Sequence, residues 1–414
     1  MPTFALVFLG ALALTTALKL WLGLRQLSHV SAHRDRVPAE FAADITPEAH
    51  RKAADYSNTK TRLGLASTAF EAAVVLALTY GGLLEGLDRL SSGWFDPGVA
   101  RGVALIALLG VLMALLELPF DLYRTFVVEE RFGFNKTTPR MFAVDTVKHL
   151  LLGAALGLPL VAGILWVMAG MGERWWFYAW ALWVSFNLFV LAVYPTWIAP
   201  LFNKFTPLED ASLKERIERL LERCGFKVRG LMVMDGSRRS SHGNAYFTGF
   251  GRTKRIVFFD TLLARLAPDE VEAVLAHELG HFKLKHVVKR MAWTFAASLG
   301  FLWLLAQLMT EPWFYGGLGV STPSTAMALV LFFIAVPQFT FLLSPLASHY
   351  SRKHEFEADR YATQHAAAHD LVSALVKLYK DNAATLTPDP LHSLFYDSHP
   401  PATARIARLQ ASAT

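Results

Sequence analysis

Seven long apolar runs constrain the fold of this 414-residue chain more than any other feature. Each run is free or nearly free of charged residues and is long enough to cross a hydrocarbon core of about 30 Å. Since backbone polar groups cannot stay unpaired in lipid, runs of this length favour helices. We therefore expect a mainly α, polytopic membrane protein with about seven transmembrane helices. The runs lie at about residues 3–24, 63–84, 102–123, 151–172, 175–202, 291–310 and 323–348.

The composition excludes an ordinary soluble domain. Hydrophobic residues make up 53% of the chain and charged residues only 18%. Three carboxylates, Glu71, Glu117 and Asp121, nevertheless lie in or near the second and third runs. An intramembrane carboxylate usually faces a polar interior, although Glu117 and Asp121 could equally reach the interface from a helix end.

Lysine and arginine are distributed unevenly between the loops that join these runs. Two loops on one side carry twelve of these residues, whereas three short loops on the other side carry three. Because basic loops stay in the cytoplasm, the N-terminus is expected outside. The net charge of +6 then fixes the orientation of the helices in the membrane and favours contact with anionic headgroups, and no nucleic-acid partner is implied. The basic loops span 25–62 and 124–148, and the others span 85–101, 172–174 and 311–322.

This topology predicts the organisation of the whole chain. Residues 1–202 hold five membrane helices, and 291–348 hold two more. Residues 203–290 form a small cytoplasmic α+β segment, and 349–414 form a cytoplasmic C-terminal segment. The Ala-, Leu-, Arg- and Trp-rich composition favours a bacterial inner membrane. The single cysteine, Cys224, has no partner for a disulfide and is expected to serve packing.

The sequence His-Glu-Leu-Gly-His at residues 277–281 predicts a metal site. A proline and acidic residues at 268–270 mark the start of a helix, on which the two histidines lie one turn apart and can reach one Zn²⁺. Glu278 then projects beside the metal. An unliganded carboxylate there can take a proton from an attacking water and pass it to a leaving amine, as in a zinc peptidase.

A third ligand is expected in the segment 351–359. Glu355 and Asp359 are four residues apart, so on a helix one can bind metal while the other accepts the second N–H of a ligand histidine. We assign Glu355 as the third ligand. Glu357 points about 160° away from that face, and His354 is a weaker competitor. The alternative is a charged helix next to the membrane without a metal.

The segment between the fifth and sixth runs predicts a helix over 212–224 and strands near 230–234, 244–250 and 255–259. Asn244 opens the second of these strands. If that strand lies at a sheet edge, its free backbone groups could hold an extended substrate, and the Asn244 amide adds a donor and an acceptor. An internal strand with no free edge is an equal alternative.

Two residues near the C-terminus are candidates for stabilising the oxyanion of peptide hydrolysis. His399 precedes two prolines, and Arg405 follows them. Either could donate to the developing negative charge. The alternative, which spacing alone favours, is that the prolines end a loop and Arg405 pairs with a surface acid.

Six motifs spread over most of the chain carry a family resemblance. They are Glu-Glu-Arg-Phe-Gly-Phe-Asn-Lys at 129–136, Asn-Ala-Tyr-Phe-Thr-Gly-Phe-Gly at 244–251, Ile-Val-Phe-Phe-Asp-Thr-Leu at 256–262, Ala-His-Glu-Leu-Gly-His at 276–281, Glu-Phe-Glu-Ala-Asp at 355–359 and Ser-His-Pro-Pro at 398–401. Together they resemble the type I CAAX prenyl protease family, which are integral-membrane gluzincins. The resemblance implies one zinc ion per chain, held by His277, His281 and Glu355, with Glu278 as catalytic base and Asp359 in contact with a ligand.

The resemblance also implies a substrate side of the site. Peptide binding is expected along Asn244 and Ala245, with His399 and Arg405 near the reacting carbonyl. The helices of the family enclose a large intramembrane chamber with the metal at its cytoplasmic side. Eukaryotic members remove the last three residues of farnesylated C-a-a-X proteins, so the expected partners are the lipid bilayer and a peptide or protein substrate, with or without a C-terminal prenyl group.

The leading hypothesis is a membrane-embedded zinc endopeptidase that hydrolyses peptide bonds with a metal-activated water. A bacterium need not make prenylated substrates, so a broader protease for membrane-protein quality control is one alternative. A transporter or channel with a structural zinc site is another, suggested by the spans and their carboxylates. A third alternative is a non-catalytic, chaperone-like membrane factor.

Overall fold

Helices dominate the computed structural model, which describes residues 3–249 and 255–411. They are numbered here in chain order. The helices are α1 (Thr3–Ala32), α2 (Pro47–Leu78), α3 (Leu83–Ser92), α4 (Val99–Tyr123), α5 (Pro139–Gly170), α6 (Trp175–Val193), α7 (Ala211–Arg223), α8 (Asp260–Leu263), α9 (Pro268–Lys283), α10 (His286–Leu308), α11 (Pro312–Gly317), α12 (Thr325–Thr340), α13 (Ser344–Thr363), α14 (Ala368–Asp381), α15 (Pro390–Tyr396) and α16 (Ala402–Ala411).

Seven helices in the described residues are long and apolar enough to cross a membrane, which confirms the predicted class and number. They are α1, α2, α4, α5, α6, α10 and α12. Three of them continue beyond the limits above: α4 runs on to Glu129, α6 runs on to Leu201, and α12 passes through a single tight turn into α13. The last of these continuations carries the segment in which we expected the third metal ligand.

The ends of the membrane helices differ from the limits of the apolar runs. The second run was expected at 63–84, but α2 begins at Pro47, where the Thr46 side chain accepts a hydrogen bond from the backbone N–H of Ala49. It ends at Leu78, because a turn that includes Gly82 at φ 72° interrupts the run before α3. Capping residues therefore set these ends, whereas hydropathy locates only the middle of a span.

A four-stranded sheet lies between α6 and α9 in the chain, in the order β1-β2-β4-β3. Strand β2 is antiparallel to β1 and parallel to β4, and β3 is antiparallel to β4 with Ala245 opposite Phe258. In the described residues β3 is thus an edge strand. The strands are β1 (Phe205–Pro207), β2 (Gly230–Met234), β3 (Ala245–Thr248) and β4 (Arg255–Phe259).

Strands β2 and β4 coincide with the sequence prediction, and β3 is shorter than the predicted 244–250. Its expected end at Phe250 lies outside the described residues. Strand β1 was not predicted, because a three-residue strand that ends in proline has no alternating pattern. Cys224 is buried with the residues that join α7 to the sheet and α9.

The two larger of four hydrophobic clusters in the described residues form the main cores of the molecule. One lies among the membrane helices around α12, and the other joins the sheet to α7, α9 and α14. Between the membrane helices there is also a cavity of about 530 Å³. Glu71, Glu117 and Asp121 all line it, together with Lys19 and Arg124, so the three carboxylates face one cavity that also contains two cations.

Candidate metal centre

Helices α9 and α13 pack against each other and bring the two metal motifs together. The start of α9 is fixed because the Glu270 carboxylate accepts a hydrogen bond from the backbone N–H of Ala267 at 2.7 Å. Gly280 permits the close approach of α13, since a Cβ at this position would lie 3.0 Å from the Cα of Ala358. A larger residue at this point in the motif would separate the two helices.

Three side chains converge between these helices. The Nε2 atoms of His277 and His281 are 3.1 Å apart. Glu355 reaches both rings, with Oε2 at 3.5 Å from His277 Nε2 and Oε1 at 3.3 Å from His281 Nε2. His277 and Glu355 are buried, and His281 is half-buried.

The ligand atoms of this cluster fit a metal ion. Glu355 Oε2 is buried and has no hydrogen-bond partner within the described part of the chain, which is costly for a carboxylate oxygen. The ligand atoms of the three side chains all lie within 4.8 Å of one another. Two imidazoles and one carboxylate with room for a fourth ligand are the donor set of a catalytic zinc site.

Asp359 and Arg405 lie on the side of His277 that faces away from the cluster. Asp359 Oδ1 lies 2.9 Å from His277 Nδ1, the ring atom that faces away from the cluster. Arg405 donates to both Asp359 oxygens, from Nε and Nη2, at 2.7 Å each. Both side chains are buried, at 3% and 6% exposure. Arg405 is therefore not paired with a surface acid; it holds the carboxylate that orients His277.

The pKa of His277 reflects this crowded surrounding. Burial and the Arg405 cation lower the pKa, but hydrogen bonds with Asp359 and Glu355 outweigh them and raise it. A histidine in such a position attracts a positive charge at its Nε2 atom, which a proton or a metal ion can supply.

The other ligand histidine has a support that the sequence did not reveal. His281 Nδ1 lies 3.1 Å from His286 Nδ1, and His286 Nε2 lies 3.0 Å from Glu357 Oε2. Glu357 indeed stays outside the His277, His281 and Glu355 cluster. His354 also stays outside it and stacks on His286 with ring centroids 3.9 Å apart.

Replacing His286 with alanine should weaken zinc binding about tenfold, because outer partners of ligand histidines typically contribute this much to metal affinity. Competition with a chromophoric chelator measures the change. His369→Ala, at a histidine whose side chain is 84% exposed, is the control and should leave the affinity unaltered. Equal zinc affinities for the His286 variant and the parent protein would show that His286 only packs against the site.

A pocket of about 320 Å³ opens beside the cluster. Glu278 is half-buried in its wall and makes no hydrogen bond to another described residue, so its carboxylate is available to a molecule in the pocket. Seven of the nine sequence-predicted site residues line the pocket; of the other two, His281 belongs to the cluster itself and Asp359 contacts His277. The seven are Asn244, Ala245, His277, Glu278, Glu355, His399 and Arg405.

The substrate-side residues approach the cluster from two directions. Asn244 precedes the edge strand β3, and its side-chain oxygen accepts a hydrogen bond from the Ala245 N–H at 2.8 Å. His399 is exposed, with Nε2 at 3.5 Å from Glu355 Oε1. Tyr379 and Asn382 of the α14 region also line the pocket and were not anticipated, because neither belongs to a motif. Burial raises the pKa of Tyr379, so its hydroxyl stays protonated at neutral pH.

A bundle of membrane helices that carries a His-His-Glu cluster, with a free carboxylate facing a pocket beside it, defines an integral-membrane metallopeptidase. Comparison with known proteins supports this class. A family described as "CAAX prenyl protease N-terminal, five membrane helices" matches residues 26–204, and "Peptidase family M48" matches residues 207–413. The chain belongs to the type I CAAX prenyl proteases of peptidase family M48.

Individual relatives cover nearly the whole chain. The CAAX prenyl protease 1 homologue of Arabidopsis thaliana is 36% identical over 93% of this chain and 92% of its own length. The human homologue is 32% identical over 99% of this chain and 96% of its own. The crystal structure of S. mikatae Ste24p superimposes with a TM-score of 0.92 at 30% identity, covering 99% of both chains. The predicted family is thereby confirmed, and the chain is a membrane metalloendopeptidase with a metal cofactor.

Proposed function

We propose that this protein binds one zinc ion through His277, His281 and Glu355 and uses it to cleave the C-terminal tripeptide from prenylated proteins. The observation that carries the proposal is the convergence of these three side chains beside a pocket that Glu278 faces. The relatives named above are CAAX prenyl proteases, which supports this substrate class.

Each residue of the site has a separate role in hydrolysis. A zinc ion held by the three ligands would polarise the scissile carbonyl and lower the pKa of water. Glu278 takes the proton of the attacking water and delivers it to the leaving nitrogen. His399, on the exposed side of the pocket, donates a hydrogen bond to the oxyanion, and Asp359 keeps His277 in the tautomer that presents Nε2 to the metal.

The edge strand supports an extended substrate. Strand β3 has β4 on one side, and its other side is free in the described residues. A peptide could add to this side as a further strand, with Asn244 and Ala245 at the end that lies next to the metal. Such pairing would hold the substrate by its backbone on either side of the scissile bond. Binding would then not depend on the substrate side chains around that bond.

We also propose a location and an orientation. The basic loops favour a cytoplasmic side that includes the sheet and α13 to α16, with the N-terminus outside, and the composition favours a bacterial inner membrane. The division of the chain into membrane segments 1–202 and 291–348 and cytoplasmic segments 203–290 and 349–414 follows from the same topology. No nucleic acid is expected among the partners.

Mass spectrometry of products from matched C-a-a-X peptides, with and without a prenyl group, tests this function. We expect cleavage before the last three residues, faster for the prenylated peptide and absent after zinc chelation. Equal rates for both peptides would contradict the prenyl requirement and favour a broader quality-control protease. Cleavage that survives chelation would contradict the zinc mechanism itself.

A further inference from the structure

A second large pocket lies where the sheet meets the membrane helices. Its volume is about 760 Å³, and it shares no lining residue with the pocket beside the metal. Its walls come from the start of α5, the end of the α6 continuation, strands β1, β2 and β4, and the turn that follows β2. Nothing in the peptidase reaction requires a cavity at this place.

The walls of this pocket are strongly basic. Among the described residues, six cationic side chains line it and one carboxylate, Asp145, accompanies them. A concave surface with this excess of positive charge attracts anions and concentrates them. The cations are Arg140, Lys148, Lys204, Arg238, Arg239 and Arg255.

Half of these cations already have partners. Arg239 donates to Asp145 at 2.9 and 3.2 Å, which ties the sheet region to α5. Arg238 pairs with Asp235 at 3.2 Å, and the Lys148 ammonium donates to the carbonyl of Leu201 at 2.7 Å.

The other half have no partner in the part of the chain that the structure describes. Within the described ranges 3–249 and 255–411, the side chains of Arg140, Lys204 and Arg255 make no hydrogen bond or ion pair. Arg140 and Lys204 are exposed, whereas Arg255 is half-buried in β4. Three unpaired cations at one cavity can together bind a doubly or singly charged phosphate group.

The apolar wall of the pocket indicates which anion it takes. Val144 and Leu201 line the pocket and are 46% and 50% exposed. Farther along the same two helices, Leu151 and Trp197 are 66% and 67% exposed, on segments that are apolar enough to lie in lipid. The cavity therefore opens onto the lipid-facing surface, and the exposed Trp197 precedes its lining residue Leu201 by one turn, as is usual for tryptophan at membrane interfaces.

We propose that this pocket binds the headgroup of an anionic phospholipid. The phosphate lies among Arg140, Lys204 and Arg255, and the acyl chains follow the exposed apolar surface of α5 and the end of the α6 segment. Because the same pocket is walled by the sheet, the lipid braces the catalytic segment against the membrane. A free phosphate ion shares the headgroup chemistry but could not use the apolar wall.

Thermal unfolding of the purified full chain in detergent tests the proposal, with dioctanoyl phosphatidylglycerol as the probe. We expect this lipid to raise the melting temperature, and dioctanoyl phosphatidylcholine or inorganic phosphate to give no comparable rise. In the triple variant Arg140→Gln, Lys204→Gln, Arg255→Gln, the half-maximal lipid concentration should increase about a hundredfold, since each basic residue near an anionic lipid contributes about a fivefold factor.

The control removes the same charge elsewhere. Lys214, Arg219 and Lys227, exposed in or after α7 and outside the pocket, are changed to Gln together, and the response to the anionic lipid should persist. If the triple pocket variant does not fold, Lys204→Gln alone should still show the fivefold loss. An unchanged lipid response in the pocket variants would overturn the proposal. Equal stabilisation by phosphate would overturn it in favour of a free-anion site. Equal stabilisation by phosphatidylcholine would also overturn it, because that lipid has no net charge.

Discussion

Glu278→Gln is expected to lower peptide cleavage by about a hundredfold to ten-thousandfold, the usual range for losing a general acid–base group. Glutamine keeps the size of the side chain but cannot accept the proton of the attacking water or deliver it to the leaving nitrogen. Because Glu278 makes no hydrogen bond or ion pair to another described residue, fold and zinc content should not change.

The measurement pairs a cleavage assay with zinc analysis of the same preparation. Glu218→Gln, at an exposed position on α7, is the matched control and should retain full activity. Proteolysis at the parental rate in the Glu278 variant would exclude the carboxylate as the base. Loss of zinc together with activity would instead make it a ligand, and the proposed division of roles would be wrong.

Arg405→Met is expected to destabilise the protein by about 3–5 kcal/mol, because it leaves the buried carboxylate of Asp359 without its partner. Zinc affinity should fall as well, since a displaced Asp359 no longer orients His277. Both effects are read from a thermal melt and a chelator competition in detergent. Arg408→Met, at an exposed position on the same helix, is the control and should cost less than about 1 kcal/mol, the value of a surface cation–π contact with Phe356.

A double variant separates the structural role of Arg405 from its effect on the metal. In Arg405→Met with Asp359→Leu, the buried carboxylate of Asp359 is removed together with its cation, so most of the lost stability should return. Zinc affinity should stay low, because His277 still lacks an acceptor at Nδ1. Recovery of zinc affinity along with stability would contradict the view that Asp359 acts through His277.

The sequence predicts the part of the site that depends on helix periodicity. His277 and His281 lie one turn apart on α9, and Glu355 and Asp359 lie one turn apart on α13. In each pair the spacing alone places both side chains on one face. The pairing of the two helices was also foreseeable, because a metal centre needs a third ligand.

Other contacts could not be read from spacing. The sequence allows Arg405 to be an oxyanion donor or a surface residue, and the structure excludes the second, because Arg405 is buried against Asp359, which lies 46 residues earlier in the chain. The sequence does not indicate the contact of His286 with His281, because His286 lies beyond the end of α9. Lys285 has φ 58°, a left-handed conformation that turns the chain so that His286 comes back against His281. A single positive φ is not visible in an amino-acid pattern.

For the membrane helices, too, the sequence predicts the periodic part of the structure better than its ends. Hydropathy depends on composition over about 20 residues and found seven spans, whereas a helix end depends on one side chain. Helix α5 begins at Pro139, where Thr138 accepts a hydrogen bond from the Met141 N–H, although the apolar run was expected only from 151. The polar first turns of α2 and α5 therefore extend these helices well beyond the lipid-compatible run.

The placement of Asp359 and Arg405 has a consequence for how the protein is made. His277 is synthesised 128 residues before Arg405, and two membrane spans separate them. Glu278, His277 and His281 thus leave the ribosome before Glu355, Asp359 and Arg405 have been synthesised. The proposed zinc site is therefore incomplete while the chain is being made, and it can form only after the last span has been synthesised and α13 has packed against α9.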